Sequence, residues 1–394
     1  MTSPKPPIYL DNNATTPLDP RVLESMEPFL REKFGNPSST SHSYGWQAAQ
    51  AVNHARKQLA QLIGCDPKEV IWTSGATESN NMVLQGLIQQ LMFIEGEKNP
   101  HIVTTQVEHK AILEAAKHLN KLWGVDVTFV EPDKYGRVGK EQILNALKPT
   151  TKLVSVIYAN NEIGTINPIG EIGEALQDYD VFFHSDAAQA AGKVEIDVKK
   201  LNVHMMSLSG HKMYGPKGVG ALYVSKKDPK VRLCPLIVGG PQEDGQRAGT
   251  LNVPAIVGMG TACLLAQQEL ESESNMVKQL RDELVRRILQ AIPNAQLNGH
   301  PTDRLCGNAS ISFSGLSSDL FALGLSGLAL SSGSACSSAS SAPSYVLKSI
   351  GLDDETARST LRFGLGRFSC KEDIDAAVDK VIAMNEKNKA ISIR

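Results

Sequence analysis

The chain has 394 residues, with 40 basic and 42 acidic side chains and a formal net charge of −2. Without a long basic tract, that balance argues against direct binding to nucleic acid or to an anionic membrane, and no apolar run approaches the roughly 18 residues needed to cross a bilayer. The length suits one large domain and a smaller one. Met1–Pro7 holds no apolar core of a secretory leader, so a soluble, cytoplasmic protein is expected. Six cysteines without Cys-x-x-Cys spacing predict reduced thiols and no metal or iron–sulfur ligand set.

In chain order, the apolar pattern predicts a helix over 47–63, a buried strand over 70–73 and a helical stretch over 81–92. Strand-like runs follow at 101–105, 125–130, 153–158, 181–184, 203–208 and 220–224, with helical patterns at 109–122 and 140–147 among them. Such alternation predicts an α/β fold with a mostly parallel, seven-stranded sheet covered by helices. The segment 257–291 reads as two amphipathic helices with a bend at 271–274, leading into a smaller C-terminal α/β domain. That domain carries strands at 309–313, 329–331 and 360–363 and helices at 344–350 and 371–385. The expected division is 16–260 for the large domain, with 1–15 and 261–394 forming the small one.

Four stretches carry chemistry. Ser74-Gly-Ala-Thr-Glu-Ser-Asn80 turns a strand into a helix, so Gly75, Ala76 and Thr77 stand at a helix N-terminus, where backbone N–H groups and the helix dipole favour a phosphate. The same residues also read as an ordinary cap, with Ser74 or Thr77 capping and Glu78 in the first turn. The second stretch is the strand-like run that ends in Asp186, and the third is Ser209-Gly-His-Lys212, a small-residue loop closing the next strand. A lysine that can hold an aldehyde as a Schiff base and an aspartate that can pair with a pyridinium nitrogen are the two groups pyridoxal 5'-phosphate (PLP) needs from a protein. Thr73, Asp186 and Ser207 all fall at predicted strand C-terminal ends, the edge where open α/β sheets bind ligands. The fourth stretch is 331–344, eight serines in fourteen residues without a charge, carrying Cys336 near its middle. A cysteine with Ala335 and Ser337 as neighbours reads as a reactive thiol on a swinging loop, in contrast to an inert buried one.

Taken together, the chain resembles the cysteine desulfurases of the NifS/IscS type, which are fold-type I PLP enzymes. The resemblance is carried by Tyr9-Leu-Asp-Asn-Asn-Ala-Thr-Thr-Pro17, Gly35-Asn-Pro-Ser-Ser, Thr73-Ser-Gly-Ala-Thr-Glu-Ser, Glu108-His-Lys and Asn160-Asn-Glu-Ile-Gly. Ser209-Gly-His-Lys-Met-Tyr-Gly-Pro-Lys-Gly, Ser332-Gly-Ser-Ala-Cys336 and Arg362-Phe-Gly-Leu-Gly-Arg367 complete it, so that it covers almost the whole chain. The long serine-rich segment is like that of the NifS/IscS group and unlike the shorter one of the SufS-like group.

The resemblance implies that Lys212 carries the cofactor and later the proton at the substrate Cα, that Asp186 keeps the pyridine nitrogen protonated, and that Gln189 bonds the phenolic oxygen. It implies that His109 stacks on the ring as an acid/base, and that Ala76, Thr77, Ser209 and His211 contact the phosphate. Thr250 is expected to reach the phosphate from the other subunit of a homodimer. Asn161, also beside the cofactor, and Arg362 are the expected grip on the substrate carboxylate, with Arg367 as the alternative arginine. L-Cysteine would give L-alanine and a persulfide on Cys336, its sulfur passing to an iron–sulfur scaffold or another acceptor protein. A selenocysteine lyase or a cystine or cysteine C–S lyase on the same scaffold is the competing activity. Two departures stand out: Ala188 occupies a position where the pattern commonly has Thr, and the tail Lys389-Ala-Ile-Ser-Ile-Arg394 does not match the scaffold-docking tail of some members.

Overall fold

A computed structural model of the chain describes residues 6–314, 325, 327–332 and 342–392, with side chains described through 387. Cys336 and most of 331–344 therefore lie outside the described residues. The described residues form thirteen strands: β1 (Ile8–Tyr9), β2 (Val70–Thr73), β3 (His101–Thr105), β4 (Asp126–Val130), β5 (Thr151–Ser155), β6 (Phe182–Asp186), β7 (Met205–Ser209), β8 (Gly220–Val224), β9 (Ala295–Asn298), β10 (Asn308–Phe313), β11 (Leu328–Ala329), β12 (Ser331–Ser332) and β13 (Thr360–Gly364).

Seven of them make one sheet in the order β2-β8-β7-β6-β5-β3-β4, parallel except for β8, which runs antiparallel to both neighbours. The α/β class and the mostly parallel seven-stranded sheet are as expected from the sequence. Alternation along the strands feeds two separate cores, because a strand's side chains point to opposite faces in turn. Val70, Trp72, Val103, Val154, Phe183, Met206 and Tyr223 pack on one face, with the helix Ser43–Ile63 behind them. Ile71, Ile102, Leu153, Met205 and Leu222 pack on the other, against the helix Lys110–Trp123 and the helical stretch from Ala76 to Ile94.

A second sheet, β12-β13-β10-β9, is antiparallel throughout. Its core holds Ile311, Phe313, Phe363, Leu284, Ile288, Val378 and Val381, together with Leu10 from the chain's start. The N-terminal segment enters this region through β1, which pairs parallel to β11.

One expectation is corrected. The two helices over 257–291 are a single helix, Val253–Ala291, of 39 residues. Glu271–Ser274 contains no Gly or Pro to break it, and a polar stretch is not by itself a bend. Residues from Val253 to Leu265 pack in the large-sheet core behind Ser43–Ile63 and those from Val277 to Ile288 in the core of the second sheet, so the polar stretch is where the helix passes from one core to the other. Among the described residues, no helix is long and apolar enough to cross a membrane.

Candidate active site

The sheet brings its chemistry to one edge. β2, β3, β5, β6 and β7 all end there, and β6 and β7 are adjacent with Asp186 opposite Ser207, so the turn Gly210–Lys212 that follows β7 sets Lys212 beside Asp186. They share a cavity of about 540 Å³ whose walls include Ala76, Thr77, His109, Asn161, Asp186, Gln189, Ser209, His211, Lys212 and Arg362. That volume is in the range of small-ligand and cofactor sites.

Lys212 is half-buried, and its Nζ donates to the carbonyls of Asn13 and Ala14, each at 2.7 Å. Sequence reasoning quoted this N-terminal motif without giving it a task, and here it cradles the lysine. Asp186 is buried, accepting from Asn80 Nδ2 at 2.7 Å on one carboxylate oxygen and from Ala188 N–H at 3.0 Å on the other. Asn80 is itself fully buried with its Oδ1 unpartnered among the described residues, and was not anticipated. At position 188 only the backbone contributes, which makes the missing threonine hydroxyl tolerable for holding Asp186. Gln189 donates from Nε2 to Asn13 O at 2.8 Å, while its Oε1 accepts from Lys193 Nζ at 3.3 Å.

At the other end of the cavity, Gly75 precedes the helix that begins at Ala76. Glu78 folds back onto Ser74 N–H at 2.8 Å and pairs with Arg247 at 2.9 Å, fixing the turn. The approach of β8 to this turn requires a glycine, since a Cβ on Gly220 would stand 2.5 Å from Gly75 Cα. His211 sits nearby, its Nδ1 3.1 Å from Thr15 Oγ1, and burial with Lys212 and Lys217 alongside lowers its pKa to about 4.

His109 follows β3 as the N-cap of the helix Lys110–Trp123, its Nδ1 accepting from Ala111 N–H at 3.1 Å. That contact gives the neutral ring its proton on Nε2. Burial lowers its pKa, against the opposing pull of Asp186. Next to it, Glu108 is fully buried and accepts from Thr105 Oγ1 and Ile157 N–H, and burial pushes its carboxyl up to about 8.

The two candidate arginines separate cleanly. Arg362 lines the cavity, buried, with Nη1 donating to Asn161 O at 2.9 Å. Arg367 is spent elsewhere, on Asp19 and Glu273 at 2.7 Å each, with its guanidinium 4.4 Å from the Tyr214 ring centroid. Thr250 is exposed and is not brought to the cavity by this chain, and Cys336 lies outside the described residues.

These residues fit PLP. A buried carboxylate, a lysine cradled by carbonyls and a helix start with no side-chain cap among the described residues share one cavity of suitable size.

Comparison with known proteins agrees with PLP as the cofactor. The chain belongs to the class-V aminotransferase family, whose profile matches residues 8–377. Within it, a curated relative named cysteine desulfurase IscS from Rickettsia rickettsii (strain Iowa) is 48% identical over 386 residues, covering 98% of this chain and 93% of its own. The protein of that name from Rickettsia bellii (strain OSU 85-389) is 49% identical with the same coverage. Among solved structures, a NifS-like protein superposes with a TM-score of 0.88 at 35% identity, covering 96% of this chain and 99% of its own. A structure described as SspA in complex with cysteine gives a TM-score of 0.78 at 36% identity, covering 92% and 99%.

Proposed function

We propose that this protein is a PLP-dependent cysteine desulfurase, converting L-cysteine to L-alanine while Cys336 takes up the sulfur as a persulfide. The observation that carries the reading is the meeting of Lys212, Asp186, His109 and Arg362 in one cavity at the carboxyl edge of the sheet. Bound PLP would supply an electron sink for charge developing at the substrate carbon, and Lys212 would hold it covalently. Asp186, oriented by two donors, would hold a proton on the pyridine nitrogen. Gln189, with one N–H of Nε2 on Asn13 O, has a second for the phenolic oxygen. Ala76, Thr77, Ser209 and His211 would bind the phosphate. His211, neutral at pH 7 before the phosphate arrives, contributes an N–H and not an ion pair.

Arg362 and Asn161 grip the substrate carboxylate, an arginine's planar fork being suited to it. Lys212 moves the proton at Cα. His109 with its proton on Nε2 enters as a donor, and takes up a proton only by giving up the Ala111 contact. The sulfur step balances: the C–S bond of cysteine breaks, an S–S bond forms with the Cys336 thiolate, and the carbon fragment takes protons to leave as alanine.

The proposal extends to a cytoplasmic homodimer in which Thr250 completes the partner's phosphate site, and to delivery of sulfur to an iron–sulfur scaffold or another acceptor. Support for self-association comes from Leu30, Phe34, Tyr44 and Trp46, large apolar side chains exposed within one short segment. The division into a large domain of 16–260 and a small one of 1–15 with 261–394 belongs to the same reading. Its experiment is PLP-loaded protein assayed for L-alanine from L-cysteine. Formation by the wild type and none by Lys212→Ala is expected, and equal rates in the two would overturn it.

A further inference from the structure

Arg362 has a second set of partners on the side away from Asn161. Its Nη2 donates to Asp11 Oδ1 and to Ser331 Oγ, both at 2.8 Å. The Ser331 hydroxyl in turn donates to the same Asp11 oxygen at 2.8 Å, closing a triangle of three side chains from three parts of the chain. Arg362 and Ser331 are buried and Asp11 is nearly so, and Arg362 Nε has no partner among the described residues.

The main chain that carries Asp11 is itself pinned to β13. Asp11 forms a parallel bridge with Gly364, two residues beyond Arg362 on β13, with Gly364 N–H on Leu10 O at 2.7 Å and Asn12 N–H on Gly364 O at 2.9 Å. This approach requires a glycine at 364, because a Cβ there would meet Asn12 N at 2.8 Å. Ser331 is set by its pairing opposite Arg362 in β12 and β13. Three anchors therefore fix the guanidinium plane: Asn161 O on Nη1, and Asp11 and Ser331 on Nη2.

We propose that Asp11 is the positioning residue that makes Arg362 selective for a substrate carboxylate. The inference rests on the reading of Arg362 as the carboxylate grip. A long arginine side chain loses its rotamer freedom on engaging a ligand, and fixing it beforehand removes that cost from binding. A planar fork also binds bidentately only when its plane is right, so orientation governs carboxylate recognition more than charge does. Asp11 touches no reacting atom in this account and works through Arg362 alone.

The test compares two ligands that differ only in a carboxylate, L-alanine and ethylamine, binding to PLP-loaded protein, with the change in visible spectrum as the readout. Asp11→Ala is expected to weaken L-alanine by about tenfold or more and leave ethylamine unchanged. Asp11→Asn, which keeps the accepting oxygen, is expected to recover most of the loss. Equal weakening of both ligands, or of neither, overturns the proposal, as does an Asn variant as poor as the Ala one. Should Asp11→Ala fail to fold or to take up the cofactor, Asp11→Glu decides, because it keeps the charge and moves the oxygen by one methylene. The same selective loss is then expected, and unchanged L-alanine binding overturns the proposal. A wild type that shows no preference for L-alanine over ethylamine instead removes Arg362 from the carboxylate grip, a failure of the functional reading separate from that of Asp11.

Discussion

At the residue scale, the site is governed by which groups are kept neutral. Glu108, buried with its second oxygen unpartnered among the described residues, holds its proton up to about pH 8 in the fold, against an ordinary carboxyl value of 4.5. A raised carboxyl pKa favours the folded state only at low pH, since the unfolded chain releases the proton first. Stability should therefore fall as pH rises from about 4.5 to about 8. Glu108→Gln, neutral throughout, should flatten that decline, and chemical denaturation across the window checks it; an unchanged slope would show that Glu108 ionises inside the fold. His109 carries a kinetic prediction. A positioned acid/base group is worth about 10²- to 10⁴-fold. His109→Ala is expected to lose turnover on that scale while retaining bound cofactor, which steady-state rates and the visible spectrum measure together.

At the level of elements, two backbone features carry the consequences. The glycine that begins β8 lets that strand lie against the turn at Gly75, and a Cβ there would meet backbone on both sides, Gly75 Cα at 2.5 Å and Leu208 O at 2.6 Å. Gly220→Ala is expected to cost about 1–3 kcal/mol, as overpacking does, and to weaken cofactor affinity through the displaced helix start. Thermal unfolding and PLP titration read the two effects. The helix Val253–Ala291 offers the other test. Ser272→Pro should cost about 3 kcal/mol or more if the helix is continuous, and little if the chain bends there. This element also shows where the sequence misleads. Polarity at 271–274 looks like an interruption because a helix running between two cores is apolar at both ends and wet in the middle.

For the molecule as a whole, the large-sheet core behind Ser43–Ile63 and the core of the second sheet are joined by that helix, by the N-terminal segment and by a cluster of charges in which Asp19 meets Arg21 and Arg367 while Arg367 meets Glu273. Asp19 is held well below the usual carboxylate range, chiefly by its hydrogen bond with Arg21. The sheet and most of the cavity were legible in the sequence, because strand alternation and the groups at strand ends are local signals. Lys212, Asp186 and Ala76 could be found from a strand and the turn after it. Asp11, Asn80 and Ser331 could not, since their roles exist only through partners such as Arg362, 351 residues from Asp11 in the chain. Arg362 and Arg367 were separable only by what each touches. The central claim is that sulfur leaves L-cysteine onto Cys336, and the most direct measurement is the mass of the Cys336 peptide after PLP-loaded protein is mixed with L-cysteine. The account predicts a gain of one sulfur atom there, matched by L-alanine release, and a loss of both in Cys336→Ser. Wild-type alanine release by Cys336→Ser would contradict it.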